Sequence, residues 1–343
     1  MKSILHCSAL FAALSLSLSA QAQLEVSNAN VDAFLIAENI VGAGVEIVSA
    51  ELVCPSGASG YFNNGDNTNI GIGQGVLLTT GLITNAVGPN SSGATSTIHG
   101  SAGDSDLEEL VAPFPTFDAC YLEFSFIPAG DSITFKYVFA SEEYNEYVCS
   151  TFNDVFAFFV TGPGLNNVNL ALLPGTDIPV TINTVNNGNV GNNGSGSNCG
   201  DAALENSAYF VDNLFGATIE YDGFTIPLQA SAPVVSGETY TIKLAINDTG
   251  DGALDSGVFI ESSSFISIGC QADGGVISSA SPSAFCKSDE GADNTFVIDL
   301  ENAQGENGIY LVSWANGEIF MTGQGSTFDL SGIPGNGICL FWH

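Results

Sequence analysis

Residues 133–160 read ITFKYVFASEEYNEYVCSTFNDVFAFFV. Two apolar runs, ITFKYVFA and VFAFFV, flank a connection that carries Glu142, Glu143, Glu146 and Asp154. Short runs rich in β-branched and aromatic residues, bounded by polar turn residues, predict strands. VFAFFV is apolar on both parities, so it is expected to be a central strand covered on both faces. The acids between the runs are the puzzle. Crowded carboxylates repel one another unless positive charge sits among them.

Positive charge is scarce. The chain of 343 residues has 4 Lys+Arg against 37 Asp+Glu. All four bases are lysines: Lys2, Lys136, Lys243 and Lys287. Residues 1–22 begin with Lys2, continue through the apolar run ILHCSALFAALSLSLS and end in Ala20-Gln21-Ala22. This pattern predicts a secretory signal peptide cleaved before Gln23, which would remove one lysine. The remaining charge excludes nucleic acid as a partner, because phosphate contacts need clustered Lys and Arg. It also argues against anionic membrane surfaces. A hydrophobic fraction of 45% excludes general disorder. No later run is long enough for a transmembrane segment.

Most of the sequence outward from this stretch reads as β. GVLLTTGLI, CYLEFSFIP, DSITFKYVFA, NLALLPG, TYTIKLAIND and GVFIESSSFISIG are short strand-like runs separated by Gly, Asn, Asp and Pro. Two helical segments stand out. NANVDAFLIAENIVGAG places Val31, Phe34, Leu35 and Ile40 at helical spacing, with Asn30 as cap and Gly42 as stop. GDSDLEELVAPFP predicts a short helix capped at Asp104 or Ser105 and closed by Pro113. The expected class is all-β: a jelly-roll-like two-sheet β-sandwich with one or two short helices, spanning residues 23–269. The composition changes at Cys270, and residues 270–343 read as a smaller, Ig-like β domain, with Asn316-Gly317 a hairpin turn. That domain stops in mid-strand at CLFWH, so the natural protein is expected to continue into further repeats and an anchoring region.

Seven cysteines follow the signal segment, and behind an export signal they read as disulfide partners. Cys54 and Cys120, which flank early strands, are expected to pair, and Cys149–Cys199 would tie the acidic connection to the Asn/Gly-rich segment 183–200. The odd count leaves one thiol free or paired beyond the chain; Cys270, at the junction, is the expected one.

Enzyme chemistry finds little material. His99 is the only histidine inside the mature body, and no Gly-x-Ser-x-Gly elbow occurs. Paired carboxylates could serve a glycoside hydrolase or a lectin, with Tyr144 and Tyr147 as an aromatic platform, although packing in a hairpin is the more ordinary role for both. Metal binding accounts for the acids better. Calcium takes 6–8 oxygen ligands from carboxylates, amides and carbonyls. A second acidic stretch, INDTGDGALDSGVFI, offers Asp248, Asp251 and Asp255 around Gly250 and Gly252. The expected Ca2+ ligands are Glu142, Glu143 and Asp154, with Asn153 or backbone carbonyls completing the shell, or else Asp248, Asp251 and Asp255. The competing reading is a pair of solvated Asx-type turns.

ITFKYVFASEEYNEYVCSTFNDVFAFFVTGPG, NLALLPGTDIPVTINTVN, YFVDNLFGATIEYDGFTIPLQA and YTIKLAINDTGDGALDSGVFIESSSF together resemble the choice-of-anchor L domain over residues 25–268. GQGVLLTTGLITNAVGPN and DSDLEEL fit the same pattern. The resemblance implies a β-rich module of secreted or cell-surface bacterial proteins, often from Bacteroidetes using type IX secretion, without catalytic activity. It supplies no ligands. The tail is similar to a Cys-bounded repeat of such surface proteins, a pattern that implies a Cys286–Cys339 pair around Trp314. The functional expectation is therefore a secreted, calcium-binding, non-catalytic module for attachment or matrix contact, whose extracellular protein or glycan ligand is open. A carbohydrate-active protein is the alternative.

Overall fold

The computed structural model describes residues 23–200 and 203–268, together with the backbone of short strands between 277 and 342. In chain order the first elements are β1 (Glu25–Ser27), α1 (Ala33–Ile40), β2 (Val45–Val53), β3 (Ser59–Asn63) and β4 (Gly75–Thr79). Then come α2 (Ser105–Val111), β5 (Thr116–Pro128), β6 (Ser132–Ser141), β7 (Val155–Gly162) and β8 (Leu165–Asn169). The series continues with β9 (Phe210–Asp212), β10 (Gly223–Thr225), β11 (Leu228–Pro233), β12 (Tyr240–Thr249), β13 (Ser256–Glu261) and β14 (Ile266–Ile268).

These strands form two antiparallel sheets, an all-β sandwich. One sheet has five strands in the order β2-β5-β12-β7-β8. The other has nine, running β1-β3-β4-β13-β6-β10-β9, with β11 and β14 also paired to β6. Strand β6 is its spine: β13 and β14 lie along one edge, and β11 and β10 along the other.

Alternation explains the core. Phe135, Tyr137 and Phe139 point from β6 toward the five-stranded sheet, where Phe156 and Phe158 of β7 meet them. Ring centroids stand 4.9 Å apart for Phe135–Phe158, 4.8 Å for Tyr137–Phe158 and 4.7 Å for Phe139–Phe156. The opposite parity of β6, Val138 and Ala140, packs on Leu77, Phe224 and Phe259 under the loops of the outer face. On β7 the opposite parity, Val155, Ala157 and Phe159, packs under Leu107 and Val111 of α2. VFAFFV is thus covered on both faces, as its pattern predicts. It is next to the edge of its sheet rather than at the centre, and α2 supplies the cover.

Both predicted helices form, with one boundary corrected. The cap of α1 is Asp32, whose Oδ1 accepts from the backbone N–H of Phe34 at 3.0 Å and of Leu35 at 3.4 Å. Asn30 instead sits outside the helix at φ 58°. The buried face is Ile36, Ala37 and Ile40, while Phe34 and Leu35 are exposed, so the expected apolar stripe is rotated. Asp104 caps α2 as expected. NLALLPG is not a strand; it follows β8 as a loop closed by the Leu172–Pro179 bridge.

The disulfides Cys54–Cys120 and Cys149–Cys199 are both present. Beyond the sandwich, β15 (Ile277–Ser278), β16 (Thr295–Asp299) and β19 (Thr327–Asp329) form one three-stranded sheet. A second comprises β17 (Tyr310–Trp314), β18 (Ile319–Gly323) and β20 (Cys339–Trp342). The expected Cys286–Cys339 pair and unpaired Cys270 lie outside the described residues. Among the described residues, no helix is long and apolar enough to cross a membrane.

Candidate metal centre

The connection 142–154 is not the turn of a hairpin. Strand β6 belongs to the nine-stranded sheet and β7 to the five-stranded one, so the chain crosses between layers. The stretch 250–255 crosses back, from β12 to β13. In register, Ser256 lies opposite Ser141, and Asn247 opposite Val155. The two acidic connections therefore leave the sheets side by side at one end of the sandwich. Each expectation treated one loop as a site by itself; the topology makes them a single region.

Asp154 is the hinge of this region. Its Oδ1 accepts from the Thr249 N–H at 2.9 Å, and its Oδ2 lies 2.7 Å from Ser256 Oγ, which is 2.8 Å from Ser141 Oγ. The carboxyl of Asp248 is within hydrogen-bonding reach of Asp154, and Thr80 bonds to it from β4's end. Asp255 accepts from Thr97 N–H at 2.7 Å and from Asn85 Nδ2 at 2.8 Å. Gly81 is required here for space: a Cβ would overlap the Asp255 carboxylate. Glu143 faces Asp154 and Asp251.

Glu142 turns the other way. Its carboxyl meets Glu220, near Asp222, and its Oε2 accepts a 3.4 Å bond from Thr95 N–H. Thr95 Oγ1 donates to Glu220 at 2.6 Å, and Asn90 Nδ2 to Asp222 at 2.6 Å. Asp118 adds a further buried acid. An extra residue on β5 opposite Asn247 makes a bulge, and Asp118 adopts φ 48° there. Its carboxylate accepts from the backbone of His99 at 2.8 Å and of Ser101 at 2.6 Å.

Sequence reading missed Glu220, Asp222 and Asp118. The signal for the first two was present in TIEYDGF, where the acids alternate with Ile219 and Tyr221 inside an apolar context. Asp118 needed the bulge. Two expected ligands are otherwise engaged: Asn153 Oδ1 accepts from Asn183 N–H at 2.9 Å, and exposed Asp251 caps its own turn through Ala253 N–H at 3.0 Å. Tyr144 is fully buried, donates to the Val185 carbonyl at 2.7 Å and packs on Phe210, so it is no open platform. Tyr147 packs on Phe152.

The electrostatics follow from burial. Glu142, Glu143, Asp154, Asp248 and Asp255 are each at most 2% exposed. Loss of water is the largest cause raising the carboxyls of all five. Glu142 is pushed up to about 12, by burial first and then by Glu220 and Asp222. Asp222 is held at about 6, burial and neighbouring acids outweighing Asn90. Oxygens without a hydrogen-bond partner include Glu142 Oε1, Glu143 Oε2, Asp248 Oδ1, Glu220 Oε2 and Asp222 Oδ2. Asn247 Oδ1 and Thr249 Oγ1 are in the same condition.

Both lysines of the sandwich are committed elsewhere. Lys243 Nζ lies 2.5 Å from Asp104 and 2.6 Å from Asp106, tying α2 to β12. Lys136 pairs with Glu261 at 3.3 Å. His99 stands near Asp255, its Nε2 2.9 Å from the Gly81 carbonyl. Among the described residues, no three Asp, Glu, His or Cys side chains already converge on one ion-sized centre. Calcium also accepts hydroxyl, amide and carbonyl oxygens.

The family model for the choice-of-anchor L domain matches residues 24–266, the whole two-sheet sandwich. The chain belongs to that family. Comparison with curated proteins finds no match. The choice-of-anchor L family is one of surface-associated modules without enzymatic activity.

Proposed function

We propose that this choice-of-anchor L module is a calcium-dependent attachment domain of an exported protein, with Asp154 and Asp248 as the first ligands. One observation carries the reading: buried carboxylates, Asp248 and Glu143 each with an unpartnered oxygen, gather beside Asp154 where two inter-sheet crossings meet, and both lysines of the sandwich are bound elsewhere. An isolated buried carboxylate is costly, whereas one that coordinates a metal is compensated. Thr249, Asn247 and backbone carbonyls would contribute neutral oxygens, and Glu143 a third carboxylate. By fastening the two crossings, the ion would stiffen the end of the sandwich that faces a partner. Residues 1–22 would direct export, and a region outside the sandwich would supply the anchor.

Calcium titration by calorimetry into chelator-treated full-length protein tests this, alongside elemental analysis of protein purified without chelator. Bound calcium near one ion per chain, lost in Asp154→Asn and Asp248→Asn, is the expected result. Absence of both heat and bound metal in the unaltered chain would sink the reading.

A further inference from the structure

The Asn/Gly-rich segment 183–200 has a place in the fold that the calcium reading does not use. It lies against the outer side of the β6–β7 connection and is held there at three points. Gly191 N–H donates to the Val148 carbonyl at 3.0 Å, Asn193 N–H to that of Glu146 at 2.8 Å, and Ser195 N–H to that of Cys149 at 2.8 Å. The Cys149–Cys199 disulfide closes it. At residue 191 any Cβ would strike the Glu146 carbonyl, so only glycine lets the segment lie this close. Between the segment and the connection is an open cavity of about 230 Å³.

The lining combines amides with apolar groups. Asn145 donates through Nδ2 to Asp212 at 3.3 Å, while its Oδ1 is buried without a partner. Asn189 bonds back to Asn187, leaving the Asn187 amide N–H groups and Asn189 Oδ1 available. Asn192 is exposed and lines the same cavity. Val190 and Leu214 are 40% and 47% exposed there, and the next residue, Phe215, is 85% exposed.

Side-chain amides each offer donors and an acceptor in one plane, which matches hydroxyls that both donate and accept. Apolar side chains beside them suit the C–H face of a sugar ring. Glu146 lines the cavity without any Lys or Arg, which disfavours phosphate, sulfate and uronate. The walls are fixed by backbone bonds and a disulfide, so little ordering is needed on binding. We propose that this cavity binds a neutral glycan, holding the hydroxyls of one sugar residue through Asn187, Asn192 and Glu146 and its apolar face through Val190 and Leu214.

Affinity electrophoresis of the full-length protein in gels containing starch, mannan, galactan or xylan tests this, with alginate as the anionic contrast. At least one neutral polymer should retard migration. Asn192→Ala should weaken that retardation about tenfold, the loss of one or two well-placed hydrogen bonds. Asn192→Ala/Leu214→Ala should abolish it with melting temperature unchanged, since both side chains are exposed. Repeating the gels with chelator separates this site from the calcium proposal, because retardation that survives chelation stands on the cavity alone. Retardation by none of the neutral polymers, or only by alginate, overturns the proposal. So does retardation that both variants leave intact.

Discussion

The space between the two sheets has two chemistries at equal depth. Along most of its length it is filled by Phe124, Phe126, Phe135, Phe158 and Phe265, whose rings meet edge to face or tilted at about 5 Å. At the end where the chain crosses between layers it holds Asp154, Asp248, Glu143 and Asp255, equally shut off from water. Burial of the first group is favourable in itself, at roughly 1.5–3 kcal/mol per large apolar side chain. Burial of the second is unfavourable until protons or a cation compensate it. The difference teaches that one region specifies the fold, and that the other makes the fold's stability depend on solution conditions.

The largest expected effect lies in the aromatic region. Phe158→Ala removes the ring that meets both Phe135 and Tyr137, and should cost about 3–5 kcal/mol. Urea denaturation should show a lower midpoint at unchanged slope, equally with calcium or chelator. A loss that appears only in chelator would break the comparison.

Next comes calcium itself. At free calcium 100-fold above Kd, one proposed site would stabilise the fold by about 2.7 kcal/mol, an expected melting shift of roughly 5–10 °C for a domain of this size. Asp248→Asn sharpens the contrast, because it should act in opposite directions. In chelator it replaces a buried carboxyl, which folding must either protonate or bury charged, with a neutral amide, and should melt higher than the unaltered chain; in calcium it should gain nothing. Scanning fluorimetry on both proteins in both buffers reads the four values, and a variant that melts lower in chelator would contradict the electrostatic account.

The pH dependence should be smaller and of definite sign. Asp222 rises from 3.8 to about 6 on folding, chiefly by burial, and Glu142 and Glu143 rise further. The cation-free folded state therefore holds protons more tightly than the unfolded chain. Stability from these groups is complete below about pH 4 and declines as pH rises through about 6 and beyond. Calcium at the proposed site would bind ionised Glu143 and should flatten only the part of the decline that Glu143 contributes. Melting curves from pH 4.5 to 7.5 in chelator check this, and a stability that rises with pH across that range would reverse the sign.

Asp32 provides the small-effect control. It is exposed and caps α1, so Asp32→Ala should cost about 1 kcal/mol, identically with and without calcium. A calcium-dependent cost at Asp32 would mean that the ion acts on surface charge in general rather than on the buried region.

What the residues determined alone was whatever depends on neighbours in the chain. Alternating and two-parity apolar runs specify strands and their buried faces, so β5, β6, β7 and β12 were legible. Asp104 was legible as a cap, because capping is settled within one helical turn. The rotation of α1 was not: Asp32 and Asn30 are both competent caps, and packing against β2 and β4 chose between them. The acidic connections were legible as unusual, but their partnership was not. Two loops about a hundred residues apart became one region because β6 and β7 lie in different sheets, as do β12 and β13. Asp118 joined them through a bulge, and Glu220 and Asp222 through the β10–β6 pairing that sets Gly223 opposite Ser141, while Lys243 was drawn away to α2. Local pattern records which side chains want burial; only the path of the chain between layers decides which of them must share it.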